Sequence, residues 1–256
     1  MWLVSLLLVA LVWSQEEIDM CLSALDNQNF GEAVYFGRIA VERYPAMATA
    51  HYCLGRAYHR LGDPEGALRH LREAERLTTR KENLIHIYNE TALVLRSMGE
   101  TERALSYLEE ALAVAREVGE RDLEASILTN LALMHQDAGR REKALEYYEL
   151  AVEIGGEDPA VLINLGGLYR EMGDLKKAEK KLREGISLAR ERGDRVWEAN
   201  GYMYLGWVYA DTGNLERAEE LMIKAVRIFE ELGLQERAGA VRKDLDRIRH
   251  SPSGQP

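Results

Sequence analysis

A chain of 256 residues with a formal net charge of −10 offers no basic footprint for non-specific nucleic-acid binding. Hydrophobic residues at 46% supply ample material for a continuous core. Only five prolines occur, and long Val/Ile/Thr alternations are missing, which argues against a sheet.

Residues 1–14 differ from everything after them. Trp2 to Trp13 is apolar apart from Ser5, and no charged side chain precedes Glu16. The stretch is shorter than the about 20 residues of a spanning helix and matches the core of a secretory signal. Val12-Trp13-Ser14 suits a cut before Gln15, although a basic n-region is absent. The expectation is an exported protein, periplasmic or secreted, with membrane contact limited to transient passage of residues 1–14. An uncleaved anchor, or an apolar helix capping a cytoplasmic protein, stands as the alternative. Ile18-Asp19-Met20 before Cys21 is too bulky and charged for a lipoprotein site.

From Gln15 onward the chain repeats. Ala33, Ala67, Ala104, Ala144, Ala178 and Ala218 each have a small residue twelve positions before. All but the first also have a glycine five before and a large apolar or aromatic residue four after. Periods of this length mean stacked supersecondary units. In the second unit Leu54, Gly55 and Tyr58 share one helical face, Leu61-Gly62-Asp63-Pro64 stops that helix, and Ala67, Leu71 and Ala74 line the next. Later units repeat the pattern as Gly166, Tyr169, Gly173, Ala178 and Leu182, then Gly206, Tyr209, Gly213, Ala218 and Met222. Three units are longer: Leu112 to Val118, Ile186 to Gly193 and Ile228 to Gly233 each prolong a second helix. Gln235 to His250 has Ala238, Val241, Leu245 and Ile248 on one face, as a capping helix needs.

These residues resemble the tetratricopeptide repeat from about Gln15 to Leu232, in the long-repeat form similar to kinesin light chains and spindle-orientation adaptors. The resemblance implies an all-α, right-handed α-solenoid of about six helix pairs over residues 15–234. A capping helix over 235–250 and a disordered tail over 251–256 complete the chain. Pro45 matches the family's terminal proline. The first unit fits least well: Ala24, Gln28 and Gly37 stand where an aromatic, a glycine and a large apolar residue are expected.

Cys21 and Cys53 lie on the first helices of consecutive units, at or beside the small-residue packing site. They read as small apolar fillers, with a disulfide as the lesser alternative in an exported protein. No Gly-x-Ser-x-Gly, Cys-x-x-Cys, His-Glu-x-x-His or Gly-Lys phosphate loop occurs. The chain therefore reads as no enzyme, with no catalytic residue, cofactor or metal. His135 occupies a core-lining position, and His59 with His86 makes too poor a ligand set for a metal.

In the family the first-helix face lines the concave surface. Carried onto this sequence, the partner-binding candidates are Arg56, His59, Arg60, Asn89, Arg96, Asn130, Gln136, Asn164, Arg170 and Trp207, with His86, Thr129, Leu133 and Tyr204 beside them. Asn130 and Asn164 resemble asparagines that hold a ligand backbone, since an amide both donates and accepts. Arg56, Arg60 and Arg96, with His59 and His86 nearby and Glu90 as the main acid, form a basic stretch on an acidic chain. Such a stretch steers an acidic or carboxylate-bearing segment. The family's carboxylate clamp is missing, because Ile18 and Leu22 occupy its first-unit positions. The expected function is an adaptor or scaffold that holds a protein or peptide partner in the groove, in the cell envelope. The alternative is a cytoplasmic regulator of the same fold.

Overall fold

In a computed structural model the chain is described over residues 16–250, where thirteen helices and no strands are found. The expectations for residues 1–14 and for the 251–256 tail lie outside the described residues. The helices are α1 (Glu16–Asp26), α2 (Phe30–Arg43), α3 (Ala48–Leu61), α4 (Pro64–Leu77), α5 (Lys81–Ser97), α6 (Thr101–Val118) and α7 (Arg121–Asp137). They continue as α8 (Arg141–Gly155), α9 (Pro159–Glu171), α10 (Leu175–Glu191), α11 (Arg195–Asp211), α12 (Leu215–Glu231) and α13 (Gln235–His250). Two compact units divide between Ile127 and Leu128, inside α7.

The turn between paired helices is built the same way in most repeats. Gly62 takes φ +84°, and Asp63 N–H donates to the Tyr58 carbonyl at 2.9 Å, closing α3 on a left-handed residue. Asp63 then caps α4 by accepting from Gly66 N–H at 2.9 Å, ahead of Pro64 in the first turn. In the first repeat Gln28 does the glycine's job at φ +58°, and Asn29 N–H reaches the Ala24 carbonyl at 2.8 Å. A side chain there carries left-handed strain that glycine escapes.

In the first unit, α1 packs on α2 and α3, α3 on α4, and α5 on α6. The α3–α4 crossing is close because Gly55 has no side chain: a Cβ there would stand 2.9 Å from Leu71 Cγ. Cys21 and Cys53 are joined by a disulfide, with Cα atoms 6.4 Å apart. This corrects the filler reading. Adjacent first helices run side by side, and both cysteines are fully buried in the seam between them. On the chain-entropy account, closing a loop of this length stabilises by about 3–4 kcal/mol. Gly37 belongs to the same departure, since a Cβ there would lie 3.2 Å from the Leu54 Cα. The long second helix α6 returns to the start of its own repeat, where Glu117 pairs with Lys81. Its Arg116 reaches Glu124 at 2.7 Å.

In the second unit, α9 packs on α10 and α11, α11 on α12, and α12 on α13. At Gly166 a Cβ would meet Leu182 Cγ at 2.6 Å, and at Gly206 it would meet Met222 Cγ at 2.9 Å. The ion pairs of the first unit recur at the same spacings: Arg190 with Glu198 at 3.5 Å and Arg195 with Glu231 at 2.7 Å. Where both partners are exposed, as in Lys81–Glu117 and Arg195–Glu231, such pairs contribute little stability, about 0–1 kcal/mol each, but all four mark the same register in both units. Ala238, Val241 and Leu245 of α13 complete a buried cluster with Met222, Ala225, Val226 and Phe229.

Two measurements test this packing. Gly166→Leu should lower the unfolding free energy by about 1–3 kcal/mol through overpacking against Leu182; an unchanged urea midpoint and slope would take Gly166 out of the crossing. Gln28→Gly should raise it by about 0.5–1 kcal/mol by relieving the left-handed side chain. A loss of stability would mean that Gln28 holds its turn through its side chain.

Candidate functional site

Each unit carries one patch on its first-helix face, and the two differ in chemistry. In the first unit α3 contributes Tyr52, Arg56, His59 and Arg60, and α5 contributes His86, Asn89, Glu90 and Arg96. Glu90 is only 4% exposed. His59 Nδ1 donates to Glu90 Oε1 at 2.6 Å, and Arg56 Nε stands 3.8 Å from Oε2, an ion pair too long for a hydrogen bond. The Arg56 guanidinium covers the Tyr52 ring at 5.6 Å. Burial pushes the Tyr52 hydroxyl up to about 12, against the opposing pull of Arg56. Arg60, His86 and Arg96 are exposed, and Asn89 is half-buried.

In the second unit the patch comes from α7, α9 and α11. Arg170 forks onto Asp211, with Nε to Oδ2 at 2.5 Å and Nη2 to Oδ1 at 3.3 Å. The same guanidinium lies 5.3 Å from the Trp207 ring, which Tyr204 meets edge-on at 5.0 Å. Gly167 makes room for Tyr204, because a Cβ there would stand 3.0 Å from Tyr204 Cε1. Burial, then Glu171, raises the Tyr204 hydroxyl above its ordinary value. Gln136 donates to Glu171 Oε1 at 2.7 Å and accepts from the Tyr148 hydroxyl at 3.2 Å. Asn130, Thr129, Asn164 and Leu133 are half-buried on the same helices.

Of the sequence candidates, the structure brings Arg56 and His59 together through Glu90, and Arg170 and Trp207 through direct stacking. Asp211 and Glu171 were missed as partners of Arg170 and Gln136. Asp211 follows Trp207 by one helical turn, a spacing that was legible, whereas the reach from α9 to α11 was not. His135 is buried and stacks on Tyr147 at 5.3 Å. Among the described residues no cluster of three His, Cys, Asp or Glu could hold a metal ion, and no described helix is long and apolar enough to cross a membrane.

Within the second repeat, His51 and His70 face one another with Nδ1 atoms 3.1 Å apart. His51 Nε2 lies 3.1 Å from the Pro45 carbonyl, which can only accept, so that nitrogen carries its proton. His51 Nδ1 then accepts from His70. Tyr58 stacks on His70 at 5.7 Å, and Arg38 Nε donates to the Tyr58 hydroxyl at 2.9 Å.

Residues 19–80, 83–155 and 157–231 match models of the tetratricopeptide repeat. The chain belongs to the tetratricopeptide-repeat family. It is 35% identical over 102 residues to response regulator aspartate phosphatase A of Bacillus subtilis, covering 38% of this chain and 27% of that one. It is 29% identical over 102 residues to photosystem I assembly protein Ycf3 of Rippkaea orientalis, covering 40% and 57%. The match thus spans about a quarter to somewhat over half of these relatives. Among solved structures, the STAND signal-transduction ATPase with a tetratricopeptide repeat sensor from Pyrococcus horikoshii superposes with a TM-score of 0.73 at 18% identity, over 92% of this chain and 38% of that one. A Rap protein complexed with competence and sporulation factor superposes at 0.64 and 19% identity, over 90% and 72%. At such identities the likeness is one of fold: an all-α solenoid of helix pairs.

The part-buried His70 ring should make stability depend on pH. Burial, then His51, Arg69 and Arg38, lowers the pKa of His70, and Glu73 opposes them. The unfolded chain therefore binds the proton first on acidification. Stability from the neutral ring is complete above the ordinary histidine range and is lost as pH falls through it toward the lower folded value. The urea midpoint should fall from pH 7.5 toward about pH 5.5, and His70→Gln should flatten that slope; an equal slope in the variant would remove His70 as its source.

Proposed function

We propose that this tetratricopeptide-repeat chain is a non-enzymatic adaptor that holds a segment of a protein partner against its first-helix faces, in the cell envelope. The observation that carries the reading is the held cation on each face. Arg56 is anchored over Tyr52 beside buried Glu90, and Arg170 is forked by Asp211 over Trp207. Guanidinium groups already oriented by a carboxylate and a ring lose less freedom on meeting a ligand carbonyl or carboxylate. The likeness to a Rap protein complexed with competence and sporulation factor supports a fold that holds a partner. The word phosphatase in the name of one relative belongs to that protein, which is matched over 38% of this chain.

Export is supported by two features. The Cys21–Cys53 disulfide suits an oxidising compartment, and the apolar run from Trp2 to Trp13 matches a signal core. Protein from the native host should begin at Gln15 and come from an extracytoplasmic fraction, with no thiol open to alkylation. An intact Met1 in the cytosol with two free thiols would favour the cytoplasmic regulator instead.

The first-helix faces are tested one unit at a time, with Arg60→Glu in the first and Asn164→Ala in the second. Pull-down from native lysate, with captured proteins identified by mass spectrometry, should lose its specific partner by about tenfold or more, since each contact is worth about 1–3 kcal/mol when desolvated. The second-helix pair Arg69→Ala and Glu146→Ala should leave capture unchanged. Loss with that pair alone would place the partner on the opposite side.

A further inference from the structure

One small, half-open cavity on the first-unit face has the size of a single side chain. Ala48, Thr49 and Tyr52 of α3 and Asn83, His86 and Ile87 of α5 surround about 130 Å³. At about 30 Å³ per water that is room for roughly four waters, or for the four carbons of a leucine side chain. It is well below the several hundred Å³ of a drug-sized site. Of its lining, Ile87 is buried and Tyr52 half-buried.

A second observation lies one helical turn along α3. Arg56 follows Tyr52 by four residues and covers its ring, yet its Nε is buried with no hydrogen-bond partner. Glu90 is already committed to His59 and stands 3.8 Å from that nitrogen. The Arg56 side chain as a whole keeps 26% of its surface exposed, so its charge stays within reach of a ligand carboxylate. Exposed Arg60 lies on the same face, so an acid arriving there meets a positive neighbour.

The two features are spaced for one kind of peptide. Four residues of helix rise about 6 Å, and side chains two apart on one face of an extended chain are about 6.6 Å apart. We propose that the first-unit face recognises an extended partner segment carrying an aliphatic residue and an acid two positions apart. The aliphatic side chain fills the cavity between α3 and α5, and the carboxylate accepts from Arg56. This rests on the adaptor reading for the identity of the chain that brings the segment, and the recognition rule is its own claim.

The test uses the full chain with labelled alanine and isoleucine methyls, Ala48 and Ile87 serving as reporters. The probes are acetylated, amidated tripeptides, Leu-Ser-Asp and its reverse Asp-Ser-Leu, with Leu-Ser-Asn and Ala-Ser-Asp and their reverses as controls. At least one acidic leucine peptide should shift both methyls saturably, and its asparagine and alanine counterparts should bind about tenfold more weakly. In Arg56→Gln the preference for aspartate over asparagine should vanish. Absence of a saturable shift, or controls that bind as tightly as the probe, overturns the proposal, and the unmodified chain alone decides this if the variant fails to fold. Saturable shifts alongside failed capture from lysate would sink the adaptor reading and leave the recognition rule standing; the reverse result would sink the rule alone.

Discussion

The structure depends on how closely the two helices of each repeat can cross. Wherever the first helix carries glycine at the crossing, the large side chain sixteen residues later fills the space a Cβ would take, as Leu71, Leu182 and Met222 do over Gly55, Gly166 and Gly206. Alanine serves at Ala92 and Ala132, where Leu108 and Tyr148 hold the equivalent position and all four residues are fully buried. Interiors packed to crystal-like density accept one solution per crossing, so the small residue fixes which face of the first helix turns inward. Arg56 in one unit and Arg170 in the other stand beside that crossing and remain half-buried.

Their placement relies on acids the crossing does not explain. Glu90 is buried beneath the first-unit patch with His59 as its hydrogen-bond partner, an arrangement that orients groups more than it stabilises the fold. Asp211 holds Arg170 from a neighbouring first helix, and the guanidinium plane comes to rest over Trp207. The two patches thus share a device, a carboxylate and a ring around an arginine. Their surroundings differ: exposed cations in the first unit, and aromatic rings with Glu171 and Gln136 in the second.

The first repeat departs from the others in a connected way. Cys21 takes the crossing position and is bonded to the next first helix, while Gly37 stands where a large residue would press on Leu54. Size has moved from the crossing within the repeat to the seam between repeats. Gln28 keeps the left-handed turn that glycine makes elsewhere, so the hairpin geometry survives the change.

Much of this was legible in residue spacing. The alanine and glycine pattern marked the helix pairs, their turns and the long second helices, because backbone handedness and close packing act on residue type at fixed offsets. The inward-facing stripe of α13 was equally plain, since an apolar stripe at helical spacing reports burial directly. Tertiary structure alone decided what crosses from one helix to the next. The disulfide, the His51–His70 contact, the Arg170–Asp211 fork and the cavity between Tyr52 and His86 all join side chains whose separation depends on helix rotation and rise. A shift of one residue in register moves a side chain by about 100° around its helix. Local sequence sets which face is apolar, but only the packed neighbour settles which two polar groups on the other face come within a hydrogen bond of each other.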